Sequence, residues 1–472
     1  MNDVKTERDE YAQALPDVTR NRDAVAGERK VKAGETAYLP PLASMCVITD
    51  ASNGNQMISS TVSAEGRASY RKYLSLAYFY GATGRTVDGL TGLIFMKQAR
   101  EEKHTALDYL NDNVNGMGDS IRYQSQQASI EAFISPQSGL LVDYPKAQQG
   151  ISVADAEAQN LRPKILHYKF DDIINWYHEI INNELKLALV VLREKAVIKE
   201  DRFKIDSSGY NYRVLELIDG NYTSTLFDDG GETISESIEI KVNGETSKEI
   251  PFYFISTGAE GKSVINDLVD ANYNHYRFFA DYAAKEHASA FPVFFETGAT
   301  SDNNNNVIGP GMKWENTNEA ATFGVIQTES DGGSMRTYLA DMEQRMAALG
   351  AEMLKPRIAS AESAESKNLD QVAQNSTVAN IAINVSEAYE KALSFCARWL
   401  GVDEEVTYKL NTEYMPVGAN PQLITALLAA VQVGEISSQT FYENLQKADI
   451  ADQKRTFEEE QALITVRDGG LE

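Results

Sequence analysis

The residues of this chain that come nearest to a catalytic motif are Gly258–Ser263 (GAEGKS), between a predicted strand and a predicted helix. A phosphate-binding loop has the spacing G-x-x-x-x-G-K-S/T, in which backbone amides wrap the phosphates. The position of the first glycine is Ser256 here. We therefore predict a turn in which Ser263 caps the helix that follows, with Asn266 three residues on. A phosphate-loop enzyme that uses Gly258–Ser263 remains the alternative function.

The histidines and cysteines form no motif that binds a metal or activates a nucleophile. Neither H-x-x-x-H nor H-E-x-x-H occurs, and His275 and His287 lie too far apart on one predicted helix to share a metal. His275, beside Tyr276 and Arg277, is predicted to be a packing or interface residue. No G-x-S-x-G is present, and Cys46 and Cys396 have no adjacent base.

The paired carboxylates Asp171-Asp172 and Asp228-Asp229 lie in polar turns, where solvated side chains are the simplest prediction. Together these observations nominate no catalytic residue, no cofactor and no metal ligand. We therefore predict that the protein is not an enzyme.

The elements that would position these residues are of the α+β class. Apolar and aromatic residues recur near a 3.6-residue period from Ser263 to Ala290, which predicts one long helix, and a Gly- and Asn-rich loop, Glu296–Pro310, follows it. Met335, Leu339, Met342, Met346 and Leu349 have the 4-3-4-3 spacing of a helical seam.

Residues 130 to 260 read as mainly strands. Asp219-Gly220 and Asn243-Gly244 are dipeptides typical of tight hairpin turns. The chain thus combines a strand-rich central part with helices before and after it.

The composition indicates a globular protein with a net charge of −25, from 69 acidic and 44 basic residues among 472. That length suits two or three domains. Strong acidity argues against generic nucleic-acid binding, which needs a basic face, and keeps a concentrated protein soluble. The charged start of the chain does not resemble a signal peptide, and the apolar run Leu185 to Leu192 is too short to span a bilayer. We expect a soluble protein made in a reducing compartment, with no membrane partner.

Several segments, taken in order, resemble tailed-bacteriophage portal proteins, the head-to-tail connectors. No single motif is specific, but the ordered set covers most of the chain. The segments are Arg22 to Leu42, Tyr73 to Phe79, Thr86 to Phe95, Ile173 to Trp176, Leu268 to Pro292 with Asn274-His275-Tyr276-Arg277, Met342 to Leu354, and Asn411 to Ile464.

The resemblance implies a portal-type fold, helix-rich with a strand-rich central part, assembled as a ring of about twelve subunits at one capsid vertex. Its regions would be an N-terminal wing (1–166), a strand-rich part including the clip (167–256), a long stem helix (257–291), a tunnel loop with the following wing helix (292–352) and a C-terminal helical crown (353–472). The chain is short for this family, so a long C-terminal barrel is not expected.

The resemblance also implies the site residues and partners. The tunnel loop that approaches DNA would include Asn303, Asn304, Asn305, Asn306 and Lys313, and the stem helix would include His275, Tyr276, Arg277 and Lys285.

Double-stranded DNA would pass through the channel without sequence recognition during packaging and ejection. The terminase large subunit would dock on the clip and bring the ATP chemistry. A head-tail adaptor and the major capsid protein would be further partners of the ring, which would be made in the bacterial cytoplasm and located in the virion. The loop lacks a basic cluster, which puts its contact with DNA in question. Another virion assembly or adaptor protein, or a scaffold without a DNA role, stays an alternative.

Overall fold

The structure is a computed structural model with two compact units, Met1–Lys355 with Ser376–Asn411, and Pro356–Asn375 with Thr412–Glu472. It describes residues 4–50, 56–144, 161–196, 198–199, 205–206, 209–242, 245–257, 261–290, 293–297, 320, 322–326, 332–352, 376–402, 404–412, 414, 421–447, 451–452 and 455–468.

The first unit mixes nine α-helices with all of the strands among the residues just given. The helices are α1 (Asp9–Ala26), α2 (Glu28–Ala33), α3 (Gly66–Leu76), α4 (Ala82–Ile94), α5 (Tyr109–Asp112), α6 (Ile121–Ile134), α7 (Asn266–Ser289), α8 (Gly333–Glu352) and α9 (Thr377–Trp399). The predicted α+β class, helix-rich with a strand-rich central part, is confirmed.

The largest sheet has five antiparallel strands in the order β12-β11-β10-β7-β6. Its strands are β6 (Ile173–Ile181), β7 (Glu184–Lys195), β10 (Tyr210–Ile218), β11 (Asn221–Phe227) and β12 (Thr233–Glu239). The predicted hairpin turn at Asp219-Gly220 joins β10 to β11, and both residues have positive φ, as a tight two-residue turn requires.

A three-stranded antiparallel sheet in the order β15-β4-β5 packs near the larger one. Its strands are β4 (Gln137–Asp143), β5 (Lys164–Tyr168) and β15 (Phe252–Ser256). Leu141 and Phe252 join Val190, Leu192 and Leu215 of the larger sheet in one buried cluster. Because the two sheets bury apolar side chains against each other, this cluster forms the core of the strand-rich part.

The remaining strands form antiparallel pairs. They are β1 (Cys46–Asp50) with β2 (Gln56–Val62), β3 (Arg100–Glu102) with β18 (Thr407–Lys409), β8 (Ile198–Lys199) with β9 (Ile205–Asp206), β13 (Lys241–Val242) with β14 (Glu245–Thr246), and β16 (Val293–Thr297) with β17 (Thr322–Ile326). Val242 pairs with Glu245, so the hairpin predicted at Asn243-Gly244 is confirmed, although the turn residues themselves lie outside the described residues.

Helix α6 lies in the middle of the first unit, and its C-terminal carbonyl groups are buried. The last carbonyls of a helix lack partners within the helix itself. Here the Ser263 hydroxyl donates to the carbonyl of Phe133 over 2.6 Å. The Asn21 side-chain amide donates to the carbonyl of Ile134 over 3.0 Å. The Thr257 hydroxyl donates to the carbonyl of Ser135, also over 3.0 Å. Side chains from distant segments therefore complete the end of this helix.

The second unit contains α10 (Pro421–Val433), α11 (Ser438–Lys447) and α12 (Phe457–Asp468). Tyr442 is a buried side chain of this unit. Its ring packs near Phe457, and its hydroxyl donates to the carbonyl of Arg455 over 3.1 Å. Helix α10 is apolar along most of its length, yet Leu428 and Val433 are exposed. Among the residues of this unit whose burial is described, Tyr442 is therefore the only hydrophobic side chain that is buried.

Candidate functional site

Helix α7 is the long helix that the sequence predicts, and its first half lies inside the first unit. The side chains of Leu268, Tyr273 and Tyr276 are almost fully buried. The Tyr273 ring stacks on Tyr38 at 4.8 Å between centroids, and the Tyr276 ring meets Phe79 edge-on at 5.7 Å. In the second half, residues 281–289 are half-buried or exposed.

The beginning of α7 differs from the prediction. The helix starts at Asn266, three residues later than expected, and its N-cap position is Ile265. Ser263 is buried and donates its hydroxyl to the carbonyl of Phe133 on α6, so the prediction that Ser263 caps the helix is wrong. The hydroxyl also accepts from the backbone N–H of Ile265 over 3.4 Å, but Ile265 is the N-cap residue itself and lies before the first helical residue.

Two asparagines of α7 make side-chain hydrogen bonds to other segments of the first unit. The Asn272 Oδ1 accepts from the backbone N–H of Thr83 over 3.2 Å and from its hydroxyl over 2.9 Å, while Nδ2 donates to the carbonyl of Tyr80 over 2.7 Å. Asn272 thereby caps α4 from another helix. The Asn266 Oδ1 accepts from Nδ2 of Asn21 over 2.7 Å. We call Asn21, Asn266, Asn272 and Thr83 the amide cluster.

The four residues predicted for the stem helix, His275, Tyr276, Arg277 and Lys285, all lie on α7. The Arg277 Nε donates to the carbonyl of Tyr38 over 3.1 Å, and the side chain of Lys285 is half-buried.

His275 is 1% exposed and joins α7 to α8. Its Nε2 lies 3.3 Å from Oε1 of Glu343, and its ring lies 5.5 Å from that of Tyr80. Burial lowers the pKa of His275, although the neighbouring Glu343 carboxylate acts in the opposite direction. The side chain is therefore neutral near pH 7 and packs as part of a helix–helix contact.

Helix α8 packs on α7 through the predicted seam. Leu339, Met342 and Met346 are buried, whereas most of the other side chains of α8 are exposed. The seam is thus confirmed as the contact face, and Phe278 of α7 also packs against Tyr338 at 4.5 Å.

The predicted tunnel-loop residues Asn303, Asn304, Asn305, Asn306 and Lys313 lie outside the described residues. The strands on either side of them are described and pair in register, from Val293 with Ile326 to Thr297 with Thr322. Phe295 lies over Gly324, where a Cβ would come within 2.3 Å of the ring. The two ends of the segment 298–321 are consequently held side by side.

One electrostatic feature of the first unit is a set of paired charges that no motif of the sequence indicates. Arg22 binds both carboxylate oxygens of Glu131, over 2.7 and 2.9 Å, and its Nη2 also lies 2.8 Å from Oδ2 of Asp171. Glu131 is 2% exposed, and the Arg193 guanidinium donates to the carbonyl of Asp171 over 2.7 Å. We call Arg22, Glu131, Asp171, Asp172 and Arg193 the charged cluster.

The pKa values in the charged cluster reflect a balance between burial and pairing. Burial pushes the pKa of Glu131 upward, but the bidentate bond and the positive charge of Arg22 outweigh it, so the pKa is lowered. Burial raises the pKa of Asp172 to about 6, and the adjacent Asp171 adds to that shift. The prediction that Asp171 and Asp172 are simply solvated is wrong, because both are half-buried.

The structure describes only part of Gly258–Ser263, the segment that comes near to the phosphate-loop spacing. Gly258–Glu260 lie outside the described residues, Lys262 is exposed and the Ser263 hydroxyl is buried. A phosphate loop needs that hydroxyl for magnesium, whereas here it donates to the carbonyl of Phe133.

Among the described residues, no group of three or more His, Cys, Asp or Glu side chains is arranged to hold a metal ion. Over the same residues, no helix combines the length and apolar character that crossing a membrane requires. Cys396 is fully buried, and burial raises the pKa of its thiol.

Comparison with known proteins gives one family and several structures. A family model described as "Domain of unknown function (DUF4055)" matches residues 265–400, which run from the N-cap of α7 to the C-cap of α9. No curated protein matches the chain.

Similar solved structures come from gene transfer agent (GTA) particles. One, from the virion of a native particle, is 14% identical and has a TM-score of 0.39, with 81% of this chain and 93% of the other covered. A second, from the neck of an empty particle computed with C6 symmetry, is 14% identical and has a TM-score of 0.38. The match covers 80% of this chain and 93% of the other. A third, from the neck of a native particle computed with C12 symmetry, is 15% identical and has a TM-score of 0.37. The match covers 79% of this chain and 92% of the other.

Proposed function

We propose that this chain is a portal protein, which assembles as a ring at one capsid vertex and forms the channel through which double-stranded DNA is packaged and ejected. In this proposal α7 is the stem helix, the segment 298–321 is the tunnel loop, the five-stranded sheet belongs to the clip region and the C-terminal helices form the crown. The terminase large subunit and a head-tail adaptor would dock on the ring.

The observation that carries the proposal is the convergence of the resembling segments around α7. They are scattered in the sequence, yet several contact this helix or its neighbour α8. Arg277 binds the carbonyl of Tyr38, Tyr276 packs on Phe79 and His275 meets Glu343. Gly350 of α8 lies so near Thr86 that a Cβ there would come within 3.1 Å of its methyl group. An ordered set of weak motifs that forms one packed group is expected of a shared architecture.

Two further features fit a channel. The second half of α7 leads to the β16–β17 hairpin, which holds both ends of the proposed tunnel loop. The chain is strongly acidic, and a channel through which DNA slides in both directions is impaired by tight phosphate binding.

The experiment that tests this proposal is electron microscopy of the purified protein with native mass spectrometry for the number of subunits. We expect a closed ring of about a dozen copies whose central hole admits duplex DNA, roughly 20 Å across. A protein that stays monomeric or dimeric at all concentrations, including with its capsid protein, would contradict the proposal.

The enzyme alternative has its own test. As a structural component without nucleotide chemistry, the protein is expected not to hydrolyse ATP in the absence of terminase. ATP hydrolysis that a Lys262→Ala variant abolishes would establish the phosphate-loop function instead.

A further inference from the structure

Helix α3 carries three exposed cations within two turns. Arg67, Arg71 and Lys72 are exposed, and none of them has a carboxylate partner among the residues that the structure describes. Two half-buried cations elsewhere do pair, Lys32 with Glu28 over 2.9 Å and Arg455 with Glu460 over 2.6 Å. Exposed lysines such as Lys248 and Lys409 also have no carboxylate partner among the described residues, but they lie singly rather than together on one helix. We call Arg67, Arg71 and Lys72 the basic strip.

The arrangement of the basic strip has a cost for the helix. Arg67 and Arg71 are four residues apart and so neighbour each other on one face, where like charges destabilise a helix by a few tenths of a kcal/mol. In a chain with 69 acidic residues, an acidic neighbour could readily relieve this repulsion. The basic strip is therefore available to bind an acidic surface of another molecule.

An apolar groove of about 600 Å³ lies beside the basic strip, between α3 and the second half of α7. Tyr73 and Leu76 line it from α3, Ala284 and Ala288 from α7, and Lys72 stands at its edge. The small side chains of the two alanines leave room for an incoming side chain. A partner that fits here must therefore be apolar as well as acidic.

The apolar character continues onto the β1–β2 hairpin, whose strand β2 packs against α3. Ile48 and Ile58 are directly paired across the hairpin and are 57% and 58% exposed. Two large aliphatic side chains opposite each other on one face form a contact surface that a DNA backbone would not cover.

We propose that the basic strip, the groove and the Ile48–Ile58 pair form one surface that binds an acidic, partly apolar region of a second copy of this chain. The inference rests on the proposed ring. A two-fold axis that passed through the strip would bring both sets of cations together, so the strip faces a different region of the other copy. The remaining surface of the chain is net acidic, so the complement lies elsewhere on the neighbouring copy. Such a head-to-tail contact is the kind that closes into rings.

The test compares charge-reversed variants of the full-length protein. Arg67→Glu, Arg71→Glu and Lys72→Glu are combined in one variant, and the same residues are changed to Gln in a second, milder one. A matched control reverses three other exposed lysines, Lys195, Lys248 and Lys409. Circular dichroism and thermal melting establish that each variant is folded, and sedimentation velocity with native mass spectrometry measures assembly at low and high salt.

We expect the charge-reversed variant to need about tenfold or more protein to assemble, the Gln variant to be intermediate and the control to match the wild type. High salt should weaken assembly of the wild type more than that of the Gln variant. Carbodiimide treatment of mixed isotope-labelled and unlabelled chains should join Lys72 to an acidic residue of the other copy.

The outcomes separate this inference from the proposed function. If the charge-reversed variant assembles as well as the wild type, the surface assignment is wrong and the ring proposal stands. If the wild type forms only small open oligomers through Lys72, the surface assignment stands and the ring proposal fails. A wild type that never associates contradicts both. Loss of binding to short duplex DNA with assembly unchanged would assign the strip to nucleic acid and overturn the inference.

Discussion

The charged cluster and the amide cluster connect α1 to the rest of the first unit in two different ways. Both start from adjacent residues of α1, since Arg22 binds Glu131 while Asn21 binds Asn266 and the end of α6. The charged cluster buries ions that lose hydration, whereas the amide cluster buries neutral groups that lose far less. The first arrangement is therefore sensitive to the loss of one partner and to pH, and the second is sensitive mainly to lost hydrogen bonds.

Glu131→Ala should have the largest effect. It removes a buried carboxylate that binds the half-buried Arg22 guanidinium and the backbone N–H of Phe170, and leaves Arg22 with Asp171 alone; we expect a loss of about 3–5 kcal/mol in the free energy of unfolding. Urea denaturation followed by near-ultraviolet circular dichroism measures it. The double variant Arg22→Met with Glu131→Leu should recover much of the loss, because it removes both charges. A single variant that costs less than about 1 kcal/mol would show that the pair is effectively solvated.

Asn272→Ala should come next. It removes the acceptor for the backbone N–H and hydroxyl of Thr83 and the donor to the carbonyl of Tyr80, and we expect a loss of about 1–3 kcal/mol. Asn274 of α7 is exposed, so Asn274→Ala is the matched control and should change little. The loss should be the same at mildly acidic and neutral pH. A marked pH dependence would contradict the distinction between the two clusters.

Asp172→Asn should stabilise the protein. The pKa of Asp172 is raised to about 6 from 3.8, so the folded state favours the protonated carboxyl. Its stabilising contribution is present below 3.8 and is lost as the pH rises through about 6. The variant should therefore gain about 1–2 kcal/mol at neutral pH and little at acidic pH. Glu179→Gln, at an exposed position of β6, is the control for a changed net charge. Equal gains from the two variants would refute a local cause.

His275→Gln should have the smallest effect, and only in acid. Burial lowers the pKa of His275 from 6.5, so the neutral ring stabilises the fold above 6.5 and protonation removes this contribution as the pH falls. Glu343 on α8 is the charged group that faces the ring, and Tyr80 and Phe279 supply its aromatic contacts. The variant should flatten the decline of the melting temperature in acid. An unchanged decline would assign it to other groups.

The local features of this fold could be predicted from the sequence, whereas the clusters could not. The turn at Asp219-Gly220 and the seam of α8 depend on neighbouring residues, so their patterns sufficed. The β6–β7 turn at Asn182-Asn183 was not identified, although both residues have positive φ and asparagine tolerates that conformation. An Asn-Asn pair between two apolar runs was the available signal.

The long-range polar contacts had no comparable signal. Arg22 and Glu131 are separated by 109 residues, and Asn272 and Thr83 by 189. A glutamate or asparagine within a helix is usually solvated, and only the tertiary arrangement shows which one is buried. For the same reason the sequence predicts a helix cap at Ser263, because its partner, the carbonyl of Phe133, is distant in sequence.

The pairing of Thr297 with Thr322 gives the segment between them an unusual evolutionary freedom. Because its two ends are fixed next to each other, residues can be inserted or deleted there without altering the distance between α7 and α8. Related chains should accordingly differ in length at this position more than at any other point between those helices.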